Sequence, residues 1–412
     1  MAQRVVVIGG GVGGLTAALA LGRAGYAVTV LERDPLPPTA DAEEAFAAER
    51  RGAPQVHQTH GFLARLQVEL REHFPDVLTD LLAAGGTTMP MTAALGEPQP
   101  GDEDLQVIVV RRTTFEWVLR KAVVAQPGVE VRTGVAVAGL VGASDGGIVR
   151  VGGVRLDDGT TLEAGTVVAA TGRRGPVPLW LAEIGAEVPE TVHESGLMYL
   201  TRWYHRPWAT EELDPKLGGD LGFVKYLGVP GDGDTLSVTL AVRTSDSDLR
   251  HALSDPDRFD EACRLLPGPD QFFAHGPLDP IGDVRPMTGL INRLRRFTDA
   301  DGAPVVLGFH ALGDAHTTTN PLYGRGCALA VVQATLLAEA FAEHPDDAVA
   351  RALAYEAAST REVEPWFEAS VQMDRMGSDP GGRGAVGAAA DGPQSDAAKT
   401  MAAVFAAAST HP

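Results

Sequence analysis

The 412-residue chain is poor in cysteine and in basic residues. Its two cysteines, Cys263 and Cys327, lie far apart in the sequence, which excludes a disulfide scaffold and a cysteine-based zinc site and favours a reducing compartment. The 34 lysines and arginines are outnumbered by 54 aspartates and glutamates, so the net charge is −20. Nucleic acids and anionic lipids bind clustered positive charge, so the sequence predicts neither kind of partner.

The chain also lacks a recognisable targeting segment and internal repeats. An uncharged run from Val5 to Gly22 has the length of a signal or membrane segment, but six glycines interrupt it. Neither a signal peptide nor a lipid-facing helix is normally built in this way. We therefore expect no membrane span and a cytoplasmic location.

The uncharged run instead contains the parts of a βαβ unit. Residues 4–8 form a short apolar run that predicts a buried parallel strand. Residues 12–24 have helical composition and end at Gly25, and residues 27–31 predict a second strand. A strand, helix and strand within about 30 residues are typical of a dinucleotide-binding domain.

The turn between the first strand and the helix carries the spacing G-x-G-x-x-G at Gly9, Gly11 and Gly14. In such a turn the first glycine permits the tight bend, the second lets backbone N–H groups approach a pyrophosphate, and the third lets the helix pack on the sheet. Glu32 ends the second strand, where a carboxylate can accept hydrogen bonds from ribose hydroxyls. We therefore assign to cofactor binding Gly9, Gly11, Gly13, Gly14, Glu32 and Arg33.

The rest of the chain predicts a second sheet inserted into this domain. Residues 61–84 are amphipathic and predict helical structure. Residues 195–245 predict antiparallel strands, and 304–308 with 326–343 predict a buried strand and a long apolar helix. The fold class is therefore α/β, with a discontinuous Rossmann-type domain, an inserted antiparallel-sheet substrate domain and C-terminal helices. The predicted division is 1–80, 100–190 and 284–345 for the cofactor domain, 81–99 and 191–283 for the substrate domain, and 346–412 for C-terminal helices with a flexible segment at 376–396.

Two segments near the C-terminal end decide between FAD and NAD as the cofactor. Gly313-Asp314-Ala315-His316 and Asn320-Pro321-Leu322-Tyr323-Gly324-Arg325-Gly326 precede the long helix, and together they resemble the second FAD motif of class A flavoprotein monooxygenases. That superfamily includes the p-hydroxybenzoate hydroxylase-like and squalene-epoxidase-like FAD-dependent oxidoreductases. The resemblance implies that Gly313 and Asp314 hold the ribityl chain of FAD. It also implies that Pro321 flanks the flavin ring and that Gly324 and Gly326 line the flavin and oxygen site.

Two further segments resemble the same superfamily. Arg112 stands where the family has an arginine that contacts the FAD diphosphate, and a guanidinium is suited to that contact. Thr171-Gly172 stands where the family has Asp-Gly, and Gly175 stands where serine is common. Gly172 is thus a cofactor-binding residue by resemblance, while the loss of the aspartate leaves the use of a nicotinamide at this segment open.

The resemblance implies a monooxygenase that hydroxylates or epoxidises an organic small molecule, in secondary metabolism. NAD(P)H would reduce the FAD, which would then form a C4a-hydroperoxide with O₂. A FAD-dependent alkene reductase of the geranylgeranyl-reductase type and a redox-neutral FAD protein that binds or cyclises a ligand remain as alternatives. A flavin halogenase is disfavoured because the sequence contains no Trp-x-Trp.

Candidate substrate-side residues lie in two segments. His57 and His60 occur where relatives place residues near the flavin, and no third ligand suggests a metal. In residues 199–204, alternation puts Arg202 and Tyr204 on one face of a strand and Trp203 on the other. Either face could line a pocket, and we take Arg202 and Tyr204 as the candidates.

Overall fold

The structure is a computed structural model that describes residues 4–92, 99–145, 147–208 and 217–378. In these ranges the strands are β1 (Arg4–Ile8), β2 (Ala27–Glu32), β3 (Thr87–Pro90), β4 (Gln106–Val109), β5 (Val129–Thr133), β6 (Val137–Asp145), β7 (Ile148–Leu156), β8 (Thr161–Glu163), β9 (Thr166–Ala169), β10 (Glu190–Glu194), β11 (Leu197–His205), β12 (Gly218–Asp220), β13 (Val224–Pro230), β14 (Thr235–Arg243), β15 (Asp279–Met287), β16 (Ile291–Arg295), β17 (Val306–Leu307), β18 (Phe309–Ala311) and β19 (Thr317–Thr318).

The helices in the same ranges are α1 (Val12–Arg23), α2 (Ala42–Ala47), α3 (Ala64–His73), α4 (Pro75–Ala83), α5 (Arg112–Ala125), α6 (Val177–Glu183), α7 (Ser247–Leu253), α8 (Pro256–Cys263), α9 (Pro269–His275), α10 (Gly326–Glu343), α11 (Ala348–Glu362) and α12 (Glu364–Ser378). Short 3₁₀ turns occur at Pro54–His57, Asp102–Asp104, Gly313–Ala315 and Pro321–Tyr323. The predicted flexible segment 376–396 lies outside the described residues, except for its first three.

A five-stranded parallel sheet with the order β18-β9-β1-β2-β5 forms the centre of the molecule. Because side chains alternate along a strand, Val5 and Val7 of β1 pack against α1, α5 and α10. Val6 and Ile8 pack on the other side, against α6 and the sheet β17-β7-β6, with β8 paired to β7. Both faces of the sheet are therefore covered, as its continuous apolar strands predict.

The second large sheet is antiparallel, with the order β12-β13-β14-β11-β15. It is inserted between β9 and β18 of the parallel sheet, so the predicted discontinuous Rossmann-type fold is confirmed. Helices α8 and α9 cover one face, where Leu200 and Tyr204 pack with Phe259 and Phe272. We call the opposite face, which carries Tyr199, Thr201 and Trp203, the inner face.

Smaller sheets and the last helices complete the structure. Strands β10, β16 and β19 form one small sheet, and β3 pairs with β4 in another. Helix α11 packs on α10, while α12 packs against β16 through Phe367 and Val371. Helix α10 is long and apolar enough to cross a membrane, but 67% of it is buried inside the protein, as in the core helix of a globular domain.

Two predicted segments are divided differently in the structure. Residues 61–84 form two helices, α3 and α4, because Pro75 cannot continue the first helix and instead occupies the first turn of the second. Of the predicted strand 304–308 only Val306–Leu307 forms a strand, β17, which pairs with β7; the next strand, β18, begins at Phe309 and pairs with β9. Gly308 separates them with a φ of 68°, so the chain turns from one sheet into the other.

Candidate functional site

The glycine-rich turn has two closely packed positions and one open position. Gly9 has a φ of 111°, and a Cβ there would lie 2.3 Å from a backbone oxygen of Ala170. A Cβ at Gly14 would lie 1.9 Å from the oxygen of Gly9. At Gly11 the nearest atom to such a Cβ is a Glu116 carboxylate oxygen, 3.8 Å away. Gly11 therefore faces the open space that a pyrophosphate at the start of α1 would need.

Gly13 and Gly313 allow α1, α10 and the 313–315 turn to pack closely together next to the glycine-rich turn. A Cβ at Gly13 would lie 2.7 Å from the side chain of Leu312, so α1 approaches the segment before the 313–315 turn. Gly313 has a φ of 57°, and its N–H donates to the buried side chain of Gln333 in α10, at 2.8 Å. The position of Asp314 thus depends on contacts with both α1 and α10.

Glu32 lies at the carboxyl end of β2 beside the turn. One of its carboxylate oxygens accepts a hydrogen bond from the Gly10 N–H at 2.8 Å, and the other accepts one from the Asp34 N–H at 2.9 Å. Arg33 points outward, and its guanidinium donates to the carbonyl of Gly52 at 3.2 Å. Glu32 is therefore held at the predicted location, while Arg33 lies at the edge of the site.

The sequence did not indicate a role for Arg50, which is buried among the carboxylates of Glu32, Asp34 and Glu116. Its guanidinium donates to Glu116 at 2.6 Å and to Asp34 at 3.2 Å, and it lies 3.4 Å from Glu32. Burial alone would lower the pKa of Arg50, but these carboxylates outweigh it and raise that pKa. Burial conversely favours the neutral form of Glu116, yet Arg50 and Arg112 lower its pKa, so Glu116 remains ionised.

Arg112 begins α5 and links this cluster to the segment 57–60. It donates two hydrogen bonds to Glu116, at 2.9 and 3.0 Å, and its third nitrogen lies 3.3 Å from Nε2 of His60. Nδ1 of His60 lies 2.9 Å from the carbonyl of Gln58. Burial and then the charge of Arg112 lower the pKa of His60 to about 3, so the neutral ring donates from Nδ1 and accepts at Nε2.

Asp314 is a partly buried carboxylate without a bonded partner. Among the described residues no group donates a hydrogen bond to its side chain, although Arg112 and Arg173 act on it electrostatically. Burial raises the pKa of Asp314 against the effect of these arginines. Gly326, at the start of α10, faces the Asp314 carboxylate, since a Cβ there would lie 4.0 Å from it. This carboxylate can therefore accept hydrogen bonds from a hydroxylated ligand.

The 320–326 loop is fixed from behind by α12. Asp374 accepts hydrogen bonds from the side chains of Asn320 at 2.8 Å, Tyr323 at 2.7 Å and Asn292 at 2.7 Å. Asn320 in turn accepts one from the hydroxyl of Tyr199 on the inner face, at 2.5 Å. Asp374 carries no motif and lies some 50 residues after the loop, so the sequence did not indicate its part in the site.

The free side of the loop meets the segment 57–61. Pro321 is exposed, and Gly324 is in the left-handed region with a φ of 65°. A Cβ at Gly324 would lie 3.3 Å from the carbonyl of Gly61. The site is therefore continuous from the glycine-rich turn, through Arg112 and His60, to the 320–326 loop.

The segment 57–60 is attached to the inner face of the antiparallel sheet. Trp203 donates to the carbonyl of His57 at 2.7 Å, and Thr201 donates to the side chain of Gln58 at 2.6 Å. The ring of His57 is buried, and burial followed by the charge of Arg285 lowers its pKa to about 4. His57 and His60 thus both lie between the sheet and the predicted cofactor site.

Arg202 and Tyr204 lie on the other face of the sheet, away from this segment. Both side chains bond to Asp260 of α8, at 2.7 and 2.6 Å. Their placement does not support a position in the substrate pocket. The alternation along the strand was predicted, but it cannot indicate which face is covered by helices.

The Thr171–Gly175 segment is open at one glycine and closely packed at the other. Gly172 has a φ of 69° and faces open space, whereas the hydroxyl of Thr171 is buried without a partner among the described residues. A Cβ at Gly175 would lie 1.8 Å from that hydroxyl and 2.4 Å from the Cβ of Thr171, so a residue larger than glycine would not fit there without a shift of the backbone.

The donor groups of this site fit FAD. Gly11 offers space for a pyrophosphate, Arg112 offers a guanidinium, and Asp314 offers an unpartnered acceptor. No group of three or more His, Cys, Asp or Glu side chains that could hold a metal occurs in the described part of the chain. Cys327 is buried and unpaired, and burial raises the pKa of its thiol, in keeping with a packing role at the start of α10.

Comparison with known proteins gives a family match for the N-terminal part of the chain and fold matches for most of it. Residues 4–96 match the family described as FAD dependent oxidoreductase. The whole fold resembles that of PqsL of Pseudomonas aeruginosa, solved in complex with 2-aminobenzoylacetate. That match has a TM-score of 0.67 and 17% identity, covering 91% of this chain and 95% of PqsL.

Two further solved structures share the fold. p-Nitrophenol 4-monooxygenase PnpA from Pseudomonas putida DLL-E4 has a TM-score of 0.64 and 19% identity, covering 99% of this chain and 94% of PnpA. The Diels-Alderase PyrE3 of the pyrroindomycin pathway has a TM-score of 0.57 and 17% identity, covering 92% and 78%. No curated protein matches the sequence. At these identities the likeness establishes the fold.

Proposed function

We propose that the protein is a FAD-dependent monooxygenase that hydroxylates or epoxidises an organic small molecule in secondary metabolism. The observation that carries this proposal is the continuous site that runs from Gly11 through Arg112 to Asp314 and the exposed Pro321. One end fits a dinucleotide phosphate, and the other end offers an acceptor and a flat apolar wall. PqsL and PnpA have the same fold, and PnpA is named as a monooxygenase.

In this proposal each residue of the site has a defined role. Arg112 pairs with the phosphates, Asp314 accepts from a ribityl hydroxyl, and the N–H groups beside Gly324 and Gly326 face the ring edge that becomes negative on reduction. Bound FAD supplies electrons from NAD(P)H and activates O₂. The net reaction joins one oxygen atom to the substrate and releases the other as water, while NAD(P)H is oxidised to NAD(P)⁺.

The inner face supplies the second wall of the site. The bonds from Thr201 and Trp203 to the segment 57–60 connect the antiparallel sheet to the cofactor side. A substrate held between the sheet and the 320–326 loop is shielded from water, which protects a reactive oxygen species from side reactions. We propose that 191–283 forms most of the substrate domain, and that the enzyme acts in the cytoplasm, since both cysteines are unpaired.

A redox-neutral reaction is the second candidate. Thr171 replaces the charged residue of a segment that relatives associate with NAD(P)H, and the similarly folded PyrE3 is named as a Diels-Alderase. In such a protein FAD would have a structural role, and ligand conversion would not require reductant.

Turnover with and without oxygen distinguishes these functions. The holoprotein is incubated with NADPH and a panel of aromatic and polyene compounds, in air and under argon, and products are identified by mass. A monooxygenase gives a product heavier by one oxygen atom, in air only. An alkene reductase consumes NADPH in argon as well and adds two hydrogens, whereas conversion without NADPH supports the redox-neutral reading.

A further inference from the structure

The guanidinium of Arg112 is held on two sides by protein groups. Its Nε and Nη2 both donate to one oxygen of Glu116, at 3.0 and 2.9 Å. Its Nη1 lies 3.3 Å from Nε2 of His60. Glu116 stands one helical turn further along α5, whereas His60 comes from a segment 52 positions earlier in the chain. The orientation of this guanidinium therefore depends on a contact distant in the sequence.

The N–H groups of Arg112 are not all used by these two partners. A guanidinium has five N–H donors, one on Nε and two on each terminal nitrogen. Glu116 accepts from two of them and His60 accepts from one, and no other acceptor among the described residues bonds to this side chain. One N–H on each terminal nitrogen is therefore left for a ligand. Two such donors match two oxygens of a phosphate group.

The guanidinium lies beside the space that a diphosphate would need. The Glu116 oxygen that accepts from Arg112 is also the atom nearest to a Cβ at Gly11, at 3.8 Å. Arg112 thus borders the open position of the glycine-rich turn. Its charge also acts on the carboxylate of Asp314, at the other end of the proposed cofactor site.

The ring of His60 is itself fixed by its surroundings. Nδ1 lies 2.9 Å from the carbonyl of Gln58, which can only accept, so Nδ1 carries the proton and Nε2 is the acceptor. The ring also stacks on Phe62, with 6.0 Å between the ring centres. Because burial and the charge of Arg112 lower the pKa of His60 to about 3, the ring is neutral at neutral pH and Nε2 stays available to Arg112.

We propose that His60 is a positioning residue for the cofactor, which accepts from Arg112 and so directs the two remaining N–H groups of that guanidinium at the FAD diphosphate. An arginine side chain loses rotamer freedom when it binds a ligand. A guanidinium that Glu116 and His60 already hold has lost this freedom before FAD arrives, which increases the affinity. His60 thus acts through Arg112 and not on the substrate. The inference rests on the proposed function only in taking the FAD diphosphate as the ligand of Arg112.

Two variants separate the two bonds of the His60 ring. His60→Gln places an amide oxygen near the position of Nε2 and keeps an acceptor for Arg112, whereas His60→Asn places an amide nitrogen near Nδ1 and keeps only the donor to Gln58. Each full-length apo-protein is checked by urea unfolding and titrated with FAD by fluorescence. We expect His60→Asn to weaken FAD binding at least about tenfold, as for one lost hydrogen bond to a charged group. His60→Gln should stay closer to wild type than to His60→Asn.

A control and a double variant show whether the effect passes through Arg112. His275→Asn removes another stacked imidazole, which lies 5.1 Å from the ring of Trp208 in α9, and should keep wild-type FAD affinity. Arg112→Lys keeps the charge but has no guanidinium to orient, so His60→Asn should cause no further loss of affinity in that background.

The results of the titration decide the role of His60. Equal FAD affinity of His60→Gln and His60→Asn, weaker binding by His60→Gln, or an undiminished effect of His60→Asn beside Arg112→Lys would overturn the proposal. Neither reductant nor substrate is present in these titrations. A protein that gives the expected affinities but never forms an oxygenated product would therefore contradict the proposed function and leave the role of His60 standing.

Discussion

The glycine-rich turn allows binding and folding to be separated by two single substitutions. Gly11 has extended backbone angles, φ −87° and ψ −174°, that alanine adopts without strain, and the nearest atom to its added Cβ lies 3.8 Å away. Gly11→Ala should therefore leave the stability of the apo-protein within about 0.5 kcal/mol of wild type. The same methyl group occupies the space through which backbone N–H groups would reach a pyrophosphate.

The magnitude follows from the bonds that are lost. A hydrogen bond to a charged acceptor contributes about 1.5–3 kcal/mol, so loss of one such bond weakens FAD binding roughly 10- to 150-fold. Gly14→Ala is the contrasting variant, because its Cβ would lie 1.9 Å from the oxygen of Gly9. That overlap forces α1 from the sheet and should cost about 1–3 kcal/mol or more.

The assay combines urea unfolding of the apo-proteins with fluorescence titration by FAD. We expect Gly11→Ala to unfold like wild type and bind FAD weakly, and Gly14→Ala to unfold at lower urea. Undiminished FAD affinity in Gly11→Ala would refute the assignment of the open position to the phosphates. Wild-type stability in Gly14→Ala would refute the close packing of the turn.

Three other predictions concern separate parts of the molecule. Asp314→Ala should weaken FAD binding without unfolding the protein, because its carboxylate has no described partner to lose; equal affinity in a titration would contradict this role. Asp232→Ala should lower the free energy of unfolding in urea by about 3–5 kcal/mol, because the buried Arg111 loses an ion-pair partner. Glu130→Ala, which removes an exposed ion pair with Arg132, should lower it by at most about 1 kcal/mol. Burial and the charge of Arg351 lower the pKa of His310 in the folded protein to about 3. In the unfolded chain a histidine has a pKa of about 6.5, so between these two values the unfolded state binds a proton at His310 and the folded state does not. Stability should then decrease by about 1.4 kcal/mol per pH unit from this residue, and His310→Phe should lose that component of the slope; an identical slope would show that His310 does not titrate as described.

The sequence allowed the central βαβ unit to be predicted because each local pattern there agrees with the fold. The glycine spacing, the apolar strands and helix α10 over 326–343 follow from residues close in the sequence. Strand β15 was not predicted, since Pro280 and Pro286 argue against a strand interior. Both are accommodated because β15 is an edge strand, which has no partner on its outer side.

The site residues that were missed depend on contacts distant in the sequence. Arg50 lies in a Pro-, Ala- and Glu-rich segment without a regular pattern, and its role appears only when Glu116 of α5 approaches it. Asp374 similarly gains its role from α12 packing behind the 320–326 loop. For Arg202 the period of the strand gave the correct alternation, but the burial of that face is decided by α8 and α9.

The most direct test of the account is the identity of the cofactor in the purified protein. The protein is denatured by heat, and the released cofactor is identified by chromatography and quantified by absorbance against the chain concentration. The account predicts one FAD per chain, bound after purification or on addition of FAD to apo-protein. Release of FMN or NAD instead, or failure to bind FAD even when it is added, would contradict it.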